Sequence, residues 1–115
     1  MAFLPPDDLE IDPHEVARRR AEASDDLLLL DCRTTAEHEV ARIDGSLLIP
    51  MPELPERLGE IEAWRERAIV VYCHAGVRSL DVTRRLRRAG FTNVRSMAGG
   101  IHRWSVEIDP TVPVY

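Results

Sequence analysis

The clearest structural signal in the chain is Ile69-Val70-Val71-Tyr72-Cys73-His74-Ala75-Gly76-Val77-Arg78-Ser79. Its first four residues are β-branched or aromatic, which predicts a buried strand over residues 69–72. Cys73 stands at the carboxyl end of that strand, and Gly76 marks a tight loop. A helix is predicted over residues 79–89, and Gly90 is its expected C-cap. A strand, a short loop and a helix in this order are typical of a parallel sheet covered by helices.

Short apolar runs and helical patterns alternate along the rest of the chain. Two predicted helices begin with capping boxes, at Asp12-Pro13-His14-Glu15 and at Thr34-Thr35-Ala36-Glu37. Residues 54–67 indicate one helix, or two helices broken near Gly59. The remaining predicted strands are residues 10–11, 27–31, 47–49 and 94–96, and the remaining helices are residues 13–23, 35–41 and one that follows Gly99-Gly100 and contains Trp104. Residues 109–115 are predicted to be extended. The pattern predicts an α/β domain with a mainly parallel sheet.

The length and composition indicate one ordinary globular domain. The chain has 115 residues, of which 44% are hydrophobic and 30% are charged. No apolar run approaches the roughly 18 residues that a membrane span requires, so no membrane partner is expected. The first residues, Met1-Ala2-Phe3-Leu4-Pro5-Pro6-Asp7-Asp8, lack the basic region of a secretory signal and contain two prolines. A cytoplasmic location is the default expectation.

Cysteine, histidine and charge patterns exclude several classes of site. Two cysteines are too few for a disulfide scaffold, and the four histidines are dispersed without zinc-like spacing, so no metal site is predicted. All 15 basic residues are Arg, which excludes a Schiff-base lysine. Residues 1–72 carry 8 Arg against 17 Asp or Glu, whereas residues 73–115 carry 7 Arg against 3. A basic half inside an acidic chain does not indicate nucleic-acid binding, for which a strongly basic domain is the usual signature.

The loop pattern predicts a chemistry for Cys73. A tight glycine loop aims backbone N–H groups inward as an anion-binding nest, and the helix that follows adds the positive end of its dipole. These groups, with a cation such as Arg78, stabilise a thiolate over a thiol. The same nest accommodates the terminal sulfur of a persulfide, which is also an anion. An isolated cysteine is more often an inert buried residue, but a strand, Cys, Gly loop, Arg and helix in succession favour a nucleophile.

Four motifs in this order resemble those of a single-domain rhodanese. They are Asp31-Cys32-Arg33 with Glu37 beyond it, Arg42-Ile43-Asp44-Gly45-Ser46-Leu47-Leu48-Ile49-Pro50, the Cys73 loop, and Gly99-Gly100-Ile101-His102-Arg103-Trp104. The ending Asp109-Pro110-Thr111-Val112-Pro113-Val114-Tyr115 is similar to rhodanese domains attached to adenylating enzymes of sulfur-carrier pathways. The departures are Ala41-Arg42 in place of Gly-His, Asp44 in place of Pro and Cys32 in place of the common Val. None of the departures falls on the proposed nucleophile.

The resemblance implies both a fold and an activity. The fold is a three-layer α/β/α rhodanese-like domain with a five-stranded, mainly parallel sheet, formed by residues 1–115. The activity is sulfur transfer through a persulfide on Cys73, with thiosulfate or a protein persulfide as donor and no cofactor. A cysteine desulfurase and a sulfur-carrier protein are the candidate protein partners. The residues expected to bind substrate are His74, Ala75, Gly76, Val77, Arg78 and Ser79.

Two other functions remain open for this fold. Related Cys-dependent phosphatases and arsenate reductases have five residues between the nucleophile and the loop arginine, and a wider loop fits a tetrahedral oxyanion. Here four residues separate Cys73 from Arg78, which favours a single sulfur over phosphate. A non-catalytic partner-binding module is the second alternative, and the presence of Cys73 argues against it.

Five residues near the loop have roles to assign, and three of them have more than one interpretation. Arg78 either binds the anionic substrate or forms an ion pair with a nearby acid, since arginine suits both tasks. Asp31 and Arg33 are expected to form a scaffolding pair at a strand end. Cys32 is most simply a small core residue, although a strand beside that of Cys73 would allow it to resolve a persulfide. His74 either donates to substrate at the rim or is a passive loop residue.

Overall fold

The computed structural model describes residues 9–115, so the expectation about a signal sequence at Met1-Ala2-Phe3-Leu4-Pro5-Pro6-Asp7-Asp8 lies outside the described residues. The strands are β1 (Glu10–Ile11), β2 (Leu27–Asp31), β3 (Leu47–Leu48), β4 (Ala68–Tyr72) and β5 (Val94–Met97). The α-helices are α1 (Pro13–Ala23), α2 (Thr35–Val40), α3 (Leu54–Arg57), α4 (Val77–Arg88) and α5 (Gly100–Glu107). Short 3₁₀ segments occupy Ser24–Asp26, Met51–Glu53 and Leu58–Trp64.

The five strands form one sheet in the order β1-β5-β4-β2-β3, and every pair is parallel. β4 lies at the centre, because its residues pair with β2 on one side and β5 on the other. Asp31 is opposite Tyr72 in the register of β2 and β4. The carboxyl ends of the two longest strands therefore meet at one edge of the sheet, where loops of parallel sheets bind ligands.

Two apolar clusters cover the two faces of the sheet and confirm the three-layer architecture. Successive side chains of a strand point to opposite faces, so neighbours in β2 and β4 enter different clusters. One cluster includes Ile11, Val16, Leu29, Val70, Tyr72, Met97, Ile101 and Trp104, and therefore packs α1 and α5 on the sheet. The other includes Leu30, Cys32, Ile61, Val71, Cys73, Val82, Leu86 and Phe91, and packs α4 and the residue 54–64 segment on the opposite face.

The two predicted capping boxes differ in outcome. At α2 the box is complete: Thr34 Oγ1 accepts the Glu37 N–H at 3.2 Å, and the Glu37 carboxylate accepts the Thr34 N–H at 3.1 Å. At α1 the helix begins at Pro13 as predicted, but Asp12 Oδ1 accepts from the His14 N–H at 2.8 Å. The Glu15 carboxylate binds Arg18 and Arg19 instead of closing a box, since two guanidinium groups lie one turn ahead on the same face.

The predicted long helix over residues 54–67 is wrong as one α-helix. α3 ends at Arg57, and Leu58–Trp64 continues as a 3₁₀ segment, so the break falls just before Gly59 as the second alternative predicted. A glycine disfavours the helix interior, and the tighter winding still brings Ile61 to full burial.

Two smaller boundary predictions are also corrected. α4 begins two residues earlier than predicted, at Val77, because Gly76 has φ +105° and turns the chain into the helix. Residues 109–115 are not extended throughout: the Val112 N–H bonds to the Asp109 carbonyl at 3.1 Å, and Val112 is buried against the sheet.

Candidate active site

Cys73 immediately follows the central strand β4, and its sulfur is enclosed by its own loop. Only 1% of the residue is exposed. The sulfur accepts the backbone N–H of Gly76 at 3.1 Å and that of Ser79 at 3.4 Å. The Ser79 hydroxyl lies 3.3 Å from the same sulfur. Three polar hydrogens can therefore converge on one atom at the amino end of α4, an arrangement that stabilises negative charge on sulfur.

Gly76 shapes the cradle around Cys73. Its φ of +105° lies in the left-handed region, which a residue with a Cβ rarely adopts. This conformation aims the Gly76 N–H at the Cys73 sulfur, and it also lets the loop pass close to the backbone of Gly99, which a Cβ would approach to 3.4 Å. The glycine in the sequence pattern is thus a requirement of the loop geometry.

Ser96 is a buried site residue that could not be identified from the sequence. Its hydroxyl lies in β5, beside β4, and shares a hydrogen bond of 2.7 Å with the Ser79 hydroxyl. Ser79 in turn contacts the Cys73 sulfur, so the two hydroxyls form a short chain beneath it. A single serine in the strand Val94-Arg95-Ser96-Met97 carries no local signal of this role.

The amino end of α5 supports the Cys73 loop from its other side. The Ile101 N–H donates to the Cys73 carbonyl at 2.9 Å, and the His102 N–H donates to the His74 carbonyl at 3.1 Å. Gly100 is buried with φ +61°, and a Cβ at this position would clash with the carbonyl oxygens of both loop residues. The Gly99-Gly100 motif therefore allows the helix to approach the loop backbone directly.

Arg78 is engaged in an ion pair. Its guanidinium donates to both oxygens of Glu37, at 2.7 and 2.9 Å. This bidentate contact is the main cause of the lowered pKa of the Glu37 carboxyl, and Glu37 in turn raises the pKa of Arg78. The structure shows one of the two contacts that the sequence left open, an ion pair with an acid from α2, and substrate binding by Arg78 stays a prediction.

Asp31 and Arg33 form the predicted strand-end pair, and both side chains are fully buried. The guanidinium donates to the two carboxylate oxygens at 2.9 and 2.8 Å. His38 Nδ1 lies 2.8 Å from Asp31 Oδ2, and Arg33 also donates to the Ala41 carbonyl. The pair therefore ties the end of β2 to the carboxyl-terminal half of α2, the helix that carries Glu37.

Tyr115 reaches the same network from the far end of the sequence. Its hydroxyl donates to Glu37 Oε2 at 2.8 Å and accepts from Arg33 Nη1 at 2.7 Å. Its ring stacks on His74, with the ring centroids 4.3 Å apart and the planes at 20°. His74 is consequently half-buried, while Ala75 and Val77 remain exposed on the loop. The sequence signal for this placement was limited to the resemblance of residues 109–115.

Cys32 is placed for packing more than for chemistry. It follows β2 beside Cys73, as the strand order required, but only 2% of the residue is exposed. Its thiol donates to the Tyr72 carbonyl at 3.5 Å, and burial raises its pKa to about 12. Its surroundings therefore disfavour a thiolate at this position, in agreement with the small-core-residue interpretation.

Within residues 9–115, no group of three or more His, Cys, Asp or Glu side chains is arranged to hold a metal ion. In the same part of the chain, no helix has the length and apolar character needed to cross a membrane.

A protein-family model, the Rhodanese-like domain, matches residues 12–107. A sulfurtransferase from Allochromatium vinosum is 36% identical over 96 residues, which cover 84% of this chain and 87% of that protein. A probable adenylyltransferase/sulfurtransferase MoeZ from Mycobacterium tuberculosis is 33% identical over 89 residues. The match covers 77% of this chain but only 23% of MoeZ, so the chain corresponds to a part of that longer protein.

Solved structures share the same fold over most of the chain. A rhodanese-related protein from Thermoplasma volcanium superimposes with a TM-score of 0.77 at 27% identity, covering 92% of this chain and 98% of that one. The human single-domain sulfurtransferase TSTD1 superimposes with a TM-score of 0.76, also at 27% identity, covering 86% of this chain and 96% of that one.

Proposed function

This chain belongs to the rhodanese-like domain family of sulfurtransferases, and on that premise we propose that it moves a sulfane sulfur atom through a persulfide on Cys73. The observation that carries the proposal is the convergence of the Gly76 and Ser79 N–H groups on the Cys73 sulfur, at 3.1 and 3.4 Å. These donors favour a thiolate before transfer and the anionic outer sulfur of a persulfide after it.

The first half of the reaction loads the sulfur. The Cys73 thiolate attacks the outer sulfur of thiosulfate, the S–S bond of the donor breaks, and sulfite leaves with the bonding electron pair. With a protein persulfide as donor, the leaving group is the donor's thiolate. In both cases Cys73 carries one additional sulfur atom, and no external oxidant or cofactor is required.

The second half of the reaction transfers the added sulfur atom from Cys73 to an acceptor. A thiophilic acceptor attacks the outer sulfur, and the Cys73 thiolate leaves, which restores the starting state. Cyanide gives thiocyanate in vitro, and a thiol gives a new persulfide. We propose a cysteine desulfurase as a protein donor and a sulfur-carrier protein as a protein acceptor. Relatives such as MoeZ, whose name joins adenylyltransferase to sulfurtransferase, support the second assignment.

Arg78 supports sulfur transfer over phosphate chemistry. A phosphatase loop needs its arginine to bind a phosphoryl group, but both terminal nitrogens of this guanidinium, Nη1 and Nη2, contact Glu37. The four-residue spacing between Cys73 and Arg78 points in the same direction, because it makes the loop smaller.

The test is a thiocyanate-forming assay with thiosulfate and cyanide, on the wild type and on Cys73→Ser. We expect activity in the wild type and background rates in Cys73→Ser, with Cys32→Ala as the matched control that retains activity. Intact-mass analysis after incubation with thiosulfate should show the gain of one sulfur in all variants but Cys73→Ser. Equal turnover with and without Cys73 would contradict the proposal, as would turnover of an aryl phosphate in place of thiosulfate.

A further inference from the structure

Residue 115 is held against the Cys73 loop by three contacts. The Tyr115 ring stacks on His74 at a centroid distance of 4.3 Å. The Tyr115 hydroxyl donates to Glu37 and accepts from the fully buried Arg33. The residue is nevertheless 38% exposed, so it lies at the surface of the loop and is fixed there by specific bonds.

These contacts link Tyr115 to both ends of the loop, directly at His74 and through Glu37 at Arg78. His74 follows the nucleophile directly, whereas Arg78, at the start of α4, is bound by the same Glu37 carboxylate that accepts from Tyr115. Tyr115 therefore flanks the loop along one side. Ala75 and Val77, on the same loop, are exposed, the latter to 78%, and neither is hydrogen-bonded to Tyr115.

We propose that Tyr115 is a specificity-determining residue that selects by size the molecules that reach Cys73. Slender groups reach Cys73 without disturbing the Tyr115 ring. A donor or acceptor with bulk close to its reacting sulfur has to displace the Tyr115 ring from His74. The proposal rests on the proposed function in taking Cys73 as the reacting group.

Displacement of the Tyr115 ring is unfavourable because it breaks two interactions. It ends an aromatic contact with His74, and it removes a hydrogen-bond acceptor from the buried Arg33 guanidinium. The aromatic contact alone corresponds to a factor of about five in rate for a reagent that needs the ring displaced. Reagents that fit beside the ring do not displace it, so this factor does not enter their rates.

The test measures alkylation of Cys73 by two reagents of the same chemistry and different size, iodoacetamide and its fluorescein derivative. Trypsin separates the two cysteines into peptides 68–78 and 21–33, so mass analysis follows Cys73 alone. In Tyr115→Ala we expect the bulky reagent to react about fivefold faster than in the wild type, with the small reagent unchanged. Tyr115→Phe, which keeps the ring, should lie between the two proteins.

Val114→Ala is the matched control, because Val114 is the exposed neighbour of Tyr115 and should leave both rates unchanged. Thermal unfolding of each variant establishes that it is folded at the assay temperature. Equal acceleration of both reagents in Tyr115→Ala, or acceleration of neither, would overturn the proposal. Alkylation needs access to the thiol but not sulfur transfer, so a failed thiocyanate assay with intact size selectivity would overturn the proposed function alone.

Discussion

Glu37 connects three parts of the molecule through one carboxylate. It accepts from the Thr34 N–H that starts α2, from Nη1 and Nη2 of the Arg78 guanidinium and from the Tyr115 hydroxyl. These bonds, those of Arg78 first, lower the pKa of the Glu37 carboxyl below its usual 4.5. A single side chain thus joins the capping of a helix to the position of the loop arginine.

Glu37→Gln is expected to destabilise the protein in a pH-dependent way. At pH 7 we expect a loss of about 2 kcal/mol, the typical value for hydrogen bonds to a charged group. Because the pKa is lower in the folded state than in the unfolded state, this contribution is complete above about pH 4.5 and is lost as the pH falls below it. Urea unfolding of both proteins at pH 7 and at lower pH measures the difference, which should shrink on acidification.

Glu60→Gln is the control for that experiment. Glu60 also pairs with an arginine, Arg57, but on an exposed surface, where ion pairs contribute little. Glu60→Gln should lower the free energy of unfolding less than Glu37→Gln does at pH 7. A difference between Glu37→Gln and the wild type that stayed constant or grew on acidification would contradict the role assigned to the carboxylate.

Arg33→Met should be strongly destabilising. The Asp31 carboxylate is fully buried and would lose two charged hydrogen bonds, so we expect a cost of about 3–5 kcal/mol. Replacing both partners, as Asp31→Leu with Arg33→Met, should recover part of that loss, because no unpaired charge is then buried. Urea unfolding of the two single variants and the double variant gives the coupling energy. A cost below about 1 kcal/mol for Arg33→Met would show that the pair is not required.

At the scale of elements, the Cys73 loop depends on its neighbours as much as on its own residues. β4 delivers Cys73 to the sheet edge, α4 begins directly behind it, and α5 bonds to the carbonyls of residues 73 and 74. β5 contributes Ser96 beneath Ser79. The geometry around the sulfur is therefore set by elements that lie up to about thirty residues away in sequence.

Gly100→Ala tests the contact between α5 and the loop. The added Cβ would clash with the carbonyl oxygen of His74 and lie 2.6 Å from that of Cys73, at a φ of +61° that disfavours a side chain. Backbone has to shift, and a displacement near 1 Å at reacting groups costs about 100-fold in rate. We expect sulfur-transfer activity to fall by roughly that factor in a variant that still folds.

Gly59→Ala is the matched substitution at a site with free space, since nothing lies within 4 Å of the Cβ that it adds. It should keep full activity and gain about 0.4–1 kcal/mol, because alanine restricts the unfolded chain. Thiocyanate formation and thermal unfolding, measured on both variants, separate the two effects. Full activity in Gly100→Ala would show that the loop tolerates movement of α5.

For the whole molecule, the sequence predicted what depends on local pattern. Hydrophobic runs such as Leu27-Leu28-Leu29-Leu30 and Ile69-Val70-Val71-Tyr72 gave strand positions to within one residue, and the Thr34 box gave the start of α2. The strand order and the pairing of distant polar groups lay outside that pattern. Ser96 and Tyr115 reach the site through the fold, because β5 lies beside β4 and residues 109–115 turn back to the loop.

The sheet order predicts how protection from hydrogen exchange is distributed over the molecule. β4 is hydrogen-bonded on both sides and its last four residues are buried, so its amides should exchange only through global unfolding. β3 has two residues, lies at an edge and is only half-buried, so it should open locally. We expect the β3 amides to exchange at least about tenfold faster than those of Ile69, Val70 and Val71 in β4. Amide exchange rates measured by NMR in native conditions test this difference between β3 and β4. Equal protection of β3 and β4 would mean that the sheet opens as one cooperative unit, from its edges to the strand that carries Cys73.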